Sequence, residues 1–285
     1  MSHQDDQNLI EDEGTGYLIS VSDVMSGLLF IFIITLVVFV INFQEAVQKE
    51  EKSRADLEKV IEINKKTKEV YAETVKQLVN SNEYRKEMLS QLEKSLAARG
   101  VNVEIDEKHG VLRLTEQAIQ FGSGEIELVE SQFEKLKIIG DVMATILPCY
   151  SANPPEVRVD GHVCRKELSG QIDSVFIEGH TDNNPVAPYG VSGYRFKDNW
   201  ELSALRAVYT YYKLIPERPL LLQMKNTNDQ PIFNVSGYGE GRPLPGHLHA
   251  EPAADAENRR IDIRFIMTPP SETIAEKALQ EAGML

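Results

Sequence analysis

Three short clusters in the C-terminal part of the chain carry side chains able to do chemistry. Glu178-Gly179-His180-Thr181-Asp182 follows a short apolar run. Asn199-Trp200-Glu201-Leu202-Ser203, with Arg206-Ala207, opens an amphipathic stretch. Gly237-Tyr238-Gly239-Glu240 precedes Asn258-Arg259-Arg260 at the head of another apolar run. Hydroxyl, carboxylate and guanidinium groups at element ends suit a small zwitterion, with arginine taking its carboxylate through two N–H groups and acids holding its amine. Each also has a plainer role: Arg206 as an exposed helix residue, His180 in a turn, Asn199 as a helix cap. A hydrolase using His180 and Asp182 as acid and base is the rival. No GxSxG or HExxH pattern accompanies them, so the expectation is a binding protein, not an enzyme, with no cofactor. Two cysteines cannot build a cysteine-only tetrahedral site, and no metal is expected.

A fourth candidate is a single residue, Asp23, at the threshold of an apolar run. Val24 to Ile41 are 18 uncharged residues in which only Ser26 and Thr35 are polar. A helix from Val21 to Phe43 is roughly 33 Å long, enough for a bilayer core of about 30 Å. The preceding residues carry Asp5, Asp6, Glu11, Asp12 and Glu13 but no Lys or Arg, and no small-x-small cleavage site follows, so a retained anchor is expected rather than a signal peptide. Orientation stays open on these residues. Lys49, Lys52, Arg54 and Lys59 would put the C-terminal side in the cytoplasm. Cys149 and Cys164 could clip a loop if they met an oxidising compartment, which argues the other way.

The elements that must position these groups follow from pattern. The 285 residues, 42% hydrophobic and 26% charged, leave room for a span, a connector and one domain of ordinary size. The net charge of -14 disfavours direct nucleic-acid binding. Residues 1–16 form an acidic leader and 17–43 the span. Gln44 to about Ala98 has no Pro or Gly and reads as helix. Leu57, Ile61, Tyr71, Val75 and Leu78 make an imperfect heptad stripe, continued by Met88, Leu92 and Leu96, which suggests pairing with a second copy. From residue 100 to 267 the texture is mixed. Strands are expected at Val101–Ile105, Val111–Leu114, Val175–Ile177, Ile232–Val235 and Ile261–Ile266, and helices at Ser131–Leu147 and Leu202–Ile215. That pattern implies an α/β sandwich of a mixed sheet against helices. Residues 149–171 read as a polar insertion, and 268–285 as a tail ending in a short helix, Ser271 to Ala282.

Gly179-His180-Thr181-Asp182, Leu202-Ser203-x-x-Arg206-Ala207, Gly237-Tyr238-Gly239-Glu240 and Asn258-Arg259-Arg260-Ile261, in that order, resemble the signature of OmpA-like peptidoglycan-binding domains. Phe121-Gly122-Ser123-Gly124 with Leu128 resembles the family's entry segment. The resemblance covers roughly residues 111–267. It implies a pocket for the diaminopimelate of the wall peptide, contacted by Thr181, Asp182, Leu202, Ser203, Arg206, Glu240 and Arg259. The stretch between Asp182 and Asn199 is longer than is usual there. Ser22-Asp23-Val24-Met25-Ser26-Gly27 resembles the MotB family of flagellar stators, whose aspartate carries protons. That implies an ion-carrying Asp23 (proton or sodium), a cytoplasmic N-terminus, an inner-membrane span and a periplasmic domain in which Cys149 and Cys164 pair. The acidic leader, long connector and cysteine-bearing insertion are most similar to the MotB-like ZorB family of Zorya anti-phage systems. Membership would imply two copies surrounded by five MotA-like (ZorA-like) subunits. A flagellar or other stator, or a passive wall anchor, is the alternative.

Overall fold

The computed structural model describes residues 11–116, 118–186 and 195–270, the side chains of 11–19 excepted. Residues 1–10 of the acidic leader and the expected helix at Ser271 to Ala282 lie outside the described residues. Helix α1 runs Glu11–Ala97, and the chain divides into two compact units, the first containing α1 through Val70 and the second beginning at Tyr71. In the first unit one helix is long and apolar enough to cross a membrane. Its large side chains, Leu28 to Phe43, are exposed on all faces, so this part of the helix is apolar all round, with no polar face.

The second unit is the α/β sandwich expected from the alternation of patterns. Strands β1 (Glu104–Asp106), β2 (Val111–Leu114), β3 (Ile172–Gly179), β4 (Phe233–Gly237) and β5 (Ile261–Met267) form one mixed sheet ordered β1-β2-β5-β3-β4. All neighbours are antiparallel except β3 and β4, which are parallel. Helices α2 (Glu130–Ile146) and α3 (Asn199–Leu214) cover one face, and α4 (Pro219–Leu222) is a single turn. Because strand side chains alternate, Ile261, Ile263 and Phe265 of β5 enter the helix-side core together with Val175 and Ile177 of β3. Asp262 and Arg264 turn to the opposite face.

One expectation is corrected here. Met88, Leu92 and Leu96, placed by their spacing on a stripe for pairing with a second copy, are fully buried with Leu89 in this chain's own core. Leu57, Ile61, Tyr71 and Leu78 of the same stripe are exposed. The insertion also packs on the end of α1: Arg165 donates to Glu87 (2.5 Å) and Arg158 to Gln91 (3.4 Å). Cys149 and Cys164 are joined by a disulfide across a sequence separation of 15 residues, a loop for which chain-entropy reasoning gives about 3 kcal/mol.

Where β3 meets α3 the backbones nearly touch. A Cβ on Gly179 would stand 2.0 Å from the Ser203 carbonyl oxygen, and one on Gly237 2.6 Å from the Ala204 nitrogen. Both obstacles are backbone, so no rotamer change relieves them. Gly179→Ala is expected to lower stability by about 3 kcal/mol or more. A denaturant titration with an unchanged midpoint would contradict this close approach.

Candidate functional site

Topology brings all four signature segments to one end of the sheet. Gly179 of β3 pairs with Ile261 of antiparallel β5 and with Gly237 of parallel β4, so residues 180–182, 238–240 and 258–260 emerge side by side. Backbone bonds hold them there: Thr181 N–H to the Gly239 carbonyl, Tyr238 N–H to Gly179 and His180 N–H to Arg260, each 3.0 Å. The N-terminus of α3 rests on the same end. Its cap is Asp198, whose carboxylate accepts from the Glu201 N–H (2.9 Å) while Glu201 reaches back to the Lys197 N–H (2.8 Å). Asn199, the residue thought to cap, is released from that role and donates to the Asn184 carbonyl (3.1 Å).

The predicted site residues then separate by what they touch. Asp182 and Arg259 form a largely buried ion pair, Nη1 to Oδ2 at 2.8 Å, and Arg259 Nε also donates to the Phe121 carbonyl (3.3 Å). Arg206 is fully buried. Its Nε and Nη2 donate to the carbonyls of Glu125 and Gly122, both 2.8 Å, with the guanidinium 4.9 Å over the Phe121 ring. This is what the Phe121-to-Leu128 segment does: it supplies the carbonyls that hold the arginine. Burial, then the neighbouring Arg259 charge, pull the Arg206 pKa down to about 10, against the opposing pull of Asp182 and Glu125. Ser203 is committed to the fold, donating to the Trp200 carbonyl (2.8 Å) and accepting from the Gly239 N–H (2.9 Å). Leu202 is buried in a small cluster with Ile126 and Phe196. Glu240 is exposed on the turn after β4. Asp23, in the first unit, is exposed on α1.

Buried polar atoms at this end of the sheet without a hydrogen-bond partner among the described residues include Thr181 Oγ1, Asn199 Oδ1 and Arg206 Nη1, and also both His180 ring nitrogens and Arg260 Nη1 on the side of the arginine network. A buried unsatisfied donor or acceptor costs about 1–3 kcal/mol, and native structures tolerate few. A hydroxyl, an amide oxygen and a cationic N–H without partners, on the elements that carry the Asp182–Arg259 pair, make up the candidate polar socket, whose groups suit a ligand with both carboxylate and amine.

His180 and Glu178 serve a different structure. On the sheet face opposite the helices, Arg264 grips Glu178 through two bonds (2.8 and 2.9 Å), and Asp262 accepts from Arg113 and Arg260 (both 3.2 Å). Tyr238 donates to Glu178 (3.1 Å) and stacks between Arg242 and His180. Burial, followed by the positive charges of Arg260, Arg242, Arg113 and Arg264, holds the His180 pKa near 2. His180 is fully buried and neither ring nitrogen bonds Asp182, so the acid–base pair that a hydrolase would need is not assembled. Sequence reasoning did not single out Asp255, whose backbone N–H donates to Asp182 Oδ2 at 3.1 Å. The available signal was Asp255-x-x-Asn258, a turn immediately before β5.

No family model matches the chain. The uncharacterized protein YtxE of Bacillus subtilis is 23% identical over 257 residues, 87% of each chain. Among solved structures, a putative MotB-like protein from Desulfovibrio vulgaris shares 22% identity at a TM-score of 0.41, over 66% of this chain and 98% of that one. The cell wall anchor of the T6SS from Pseudomonas aeruginosa shares 20% at a TM-score of 0.38, over 64% and 97%. The periplasmic domain of Helicobacter pylori MotB shares 18% at a TM-score of 0.37, over 60% and 84%.

Proposed function

We propose that this protein is a single-pass inner-membrane subunit of the stator type, with a periplasmic domain that anchors it to peptidoglycan. The observation that carries the anchoring role is the candidate polar socket: Thr181 Oγ1, Asn199 Oδ1 and Arg206 Nη1, unpartnered on the elements that carry the Asp182–Arg259 pair. Its chemistry matches the amine and carboxylate of diaminopimelate, the ligand that the signature motifs imply. Arg259 is the carboxylate ligand in this reading and Asp182 faces the amine. A disulfide between Cys149 and Cys164 supports an oxidising, periplasmic location for the domain. Asp23 carries the ion, a proton or a sodium ion, and the exposed stripe from Leu57 to Leu78 pairs two copies. The finer reading, a motor subunit in anti-phage defence with five MotA-like partners, rests on sequence resemblance. A gene neighbourhood holding flagellar genes instead of defence effectors would overturn it.

The test of anchoring is co-sedimentation of residues 71–285 with purified cell-wall sacculi. Thr181→Val removes a hydroxyl that bonds nothing in the fold, so the melting temperature should hold or rise while sacculus binding falls about tenfold, the value of one ligand hydrogen bond. Arg259→Ala is expected to abolish binding and also to lower the melt, because it strands the buried Asp182. Undiminished binding by both folded variants would remove the socket from the site.

A further inference from the structure

A second cluster of donor atoms lies in the long β4–β5 connection, where His247 and His249 converge on Asp255. His247 Nδ1 lies 2.9 Å and His249 Nε2 2.7 Å from the same oxygen, Asp255 Oδ2. The three donor atoms all fall within 4.8 Å of one another. We propose that these residues form a binding site for a divalent transition-metal ion, zinc being the best fit, which stiffens this loop. It is a site that counting cysteines could not reveal.

Two of the three donors, Asp255 and His247, are oriented from behind, as metal ligands are. The other carboxylate oxygen of Asp255 accepts from the backbone N–H groups of Glu257 (3.0 Å) and Asn258 (3.3 Å), which aims Oδ2 at the imidazoles. The second ring nitrogen of His247 lies 3.1 Å from a Glu257 carboxylate oxygen, the carboxylate–histidine arrangement that fixes a tautomer and raises ligand basicity. The loop is laced to the end of β3 as well: Asn183 donates to the carbonyls of His249 (2.9 Å) and Glu251 (3.0 Å) and accepts from the Ala253 N–H (2.9 Å).

The donor set selects the ion. Two imidazole nitrogens and one carboxylate oxygen disfavour calcium and magnesium, which take oxygen ligands, and suit zinc with water in the fourth position. Tetrahedral zinc with bonds of about 2.0–2.1 Å places its ligand atoms about 3.3 Å apart. Widening the two contacts to Asp255 Oδ2 by about half an ångström brings them to that spacing. Asp255 is nearly buried, whereas His247 and His249 are 32% and 38% exposed at the side chain, leaving a path for ion and water. The buried trio Glu178, His180 and Asp262 is also close-set, but Arg264, Arg113 and Arg260 already occupy its carboxylates, so a dication there would meet three guanidinium groups.

The experiment uses untagged full-length protein in detergent, stripped with EDTA and dialysed against zinc sulfate. Elemental analysis is expected to find one tightly held zinc per chain, and zinc to raise the melting temperature. Affinity should fall at least tenfold in His247→Ala and His249→Ala, whereas His109→Ala and His162→Ala, at exposed histidines elsewhere, should match wild type. Cobalt(II) is expected to give the visible bands of a tetrahedral nitrogen–oxygen site in wild type and lose them in His249→Ala. Melts in EDTA establish that each variant is folded, and His249→Gln, which keeps a hydrogen-bonding side chain, replaces any alanine variant that is not. No zinc above the dialysis buffer, or zinc retained by a folded His247→Ala/His249→Ala double variant, would overturn the site.

Discussion

A soluble fragment beginning at Val101 is expected to lose its cooperative melt, whereas one beginning at Tyr71 keeps it. The break in sequence texture at Arg99-Gly100 makes the shorter fragment the natural choice for expression, yet the core does not end there. Met88, Leu89, Leu92 and Leu96 are fully buried against Leu112, Leu136, Ile139 and their neighbours. At about 1.5–3 kcal/mol for each buried side chain, the four contribute on the order of 6–12 kcal/mol, comparable with the roughly 5–15 kcal/mol that holds a whole domain together. Removing them also bares an apolar face, so the fragment should associate as well as unfold. Leu92→Ala is the single-residue version and should cost about 2–5 kcal/mol. Gel filtration and thermal melts of the two fragments decide the matter. Equal, cooperative, monomeric behaviour would show that the end of α1 is dispensable.

Asp23→Asn is expected to leave membrane insertion and sacculus binding intact and to abolish the motor activity proposed for the complex. A carboxylate inside a membrane span is costly, about 2.5–3.5 kcal/mol by insertion scales, and such residues mark ion pathways. Here it stands at the head of an otherwise uncharged run, with Val24, Met25, Leu28 and Leu29 exposed around it. Asparagine matches the shape and hydrogen-bonding capacity of a protonated aspartate but cannot release a proton or hold a cation by charge. The readout is the plaque count of a sensitive phage on cells carrying the protein with its neighbouring genes, or swimming if those genes are flagellar. Full activity of a well-inserted Asp23→Asn variant would leave the protein a passive anchor.

What the sequence determined by itself is whatever depends on neighbours along the chain. The uncharged run after Asp23 was legible as a span because its length, its apolarity and the acidic leader before it all lie along the chain. Strand β2 coincides with its expected bounds, α2 and α3 begin within three residues of theirs, and β5 extends one residue further, because alternation and helical periodicity are local signals. The order of the signature motifs and their places at element ends were equally readable; that those ends gather at one end of the sheet came from the strand pairing. Tertiary structure decided everything that turns on which surface meets which. Apolar spacing on Met88, Leu92 and Leu96 serves a partner helix and a folded-back domain equally well; only the presence of a complementary core in the same chain selects the second. His180 stands one residue from Thr181 and Glu178 three, yet they join an arginine network. Strand geometry and the positions of Arg113, Arg260 and Arg264 divide them from the socket. Ser203 and Leu202 share a motif with Arg206 but are consumed by packing, since β3 and β4 press their glycines against α3. The convergence of His247 and His249 on Asp255 lies furthest from any sequence signal. Five residues of irregular backbone lie between Asp255 and the nearer histidine, and it is the hydrogen bonds from Asn183, Glu257 and Asn258 that fold the stretch until the three donors meet.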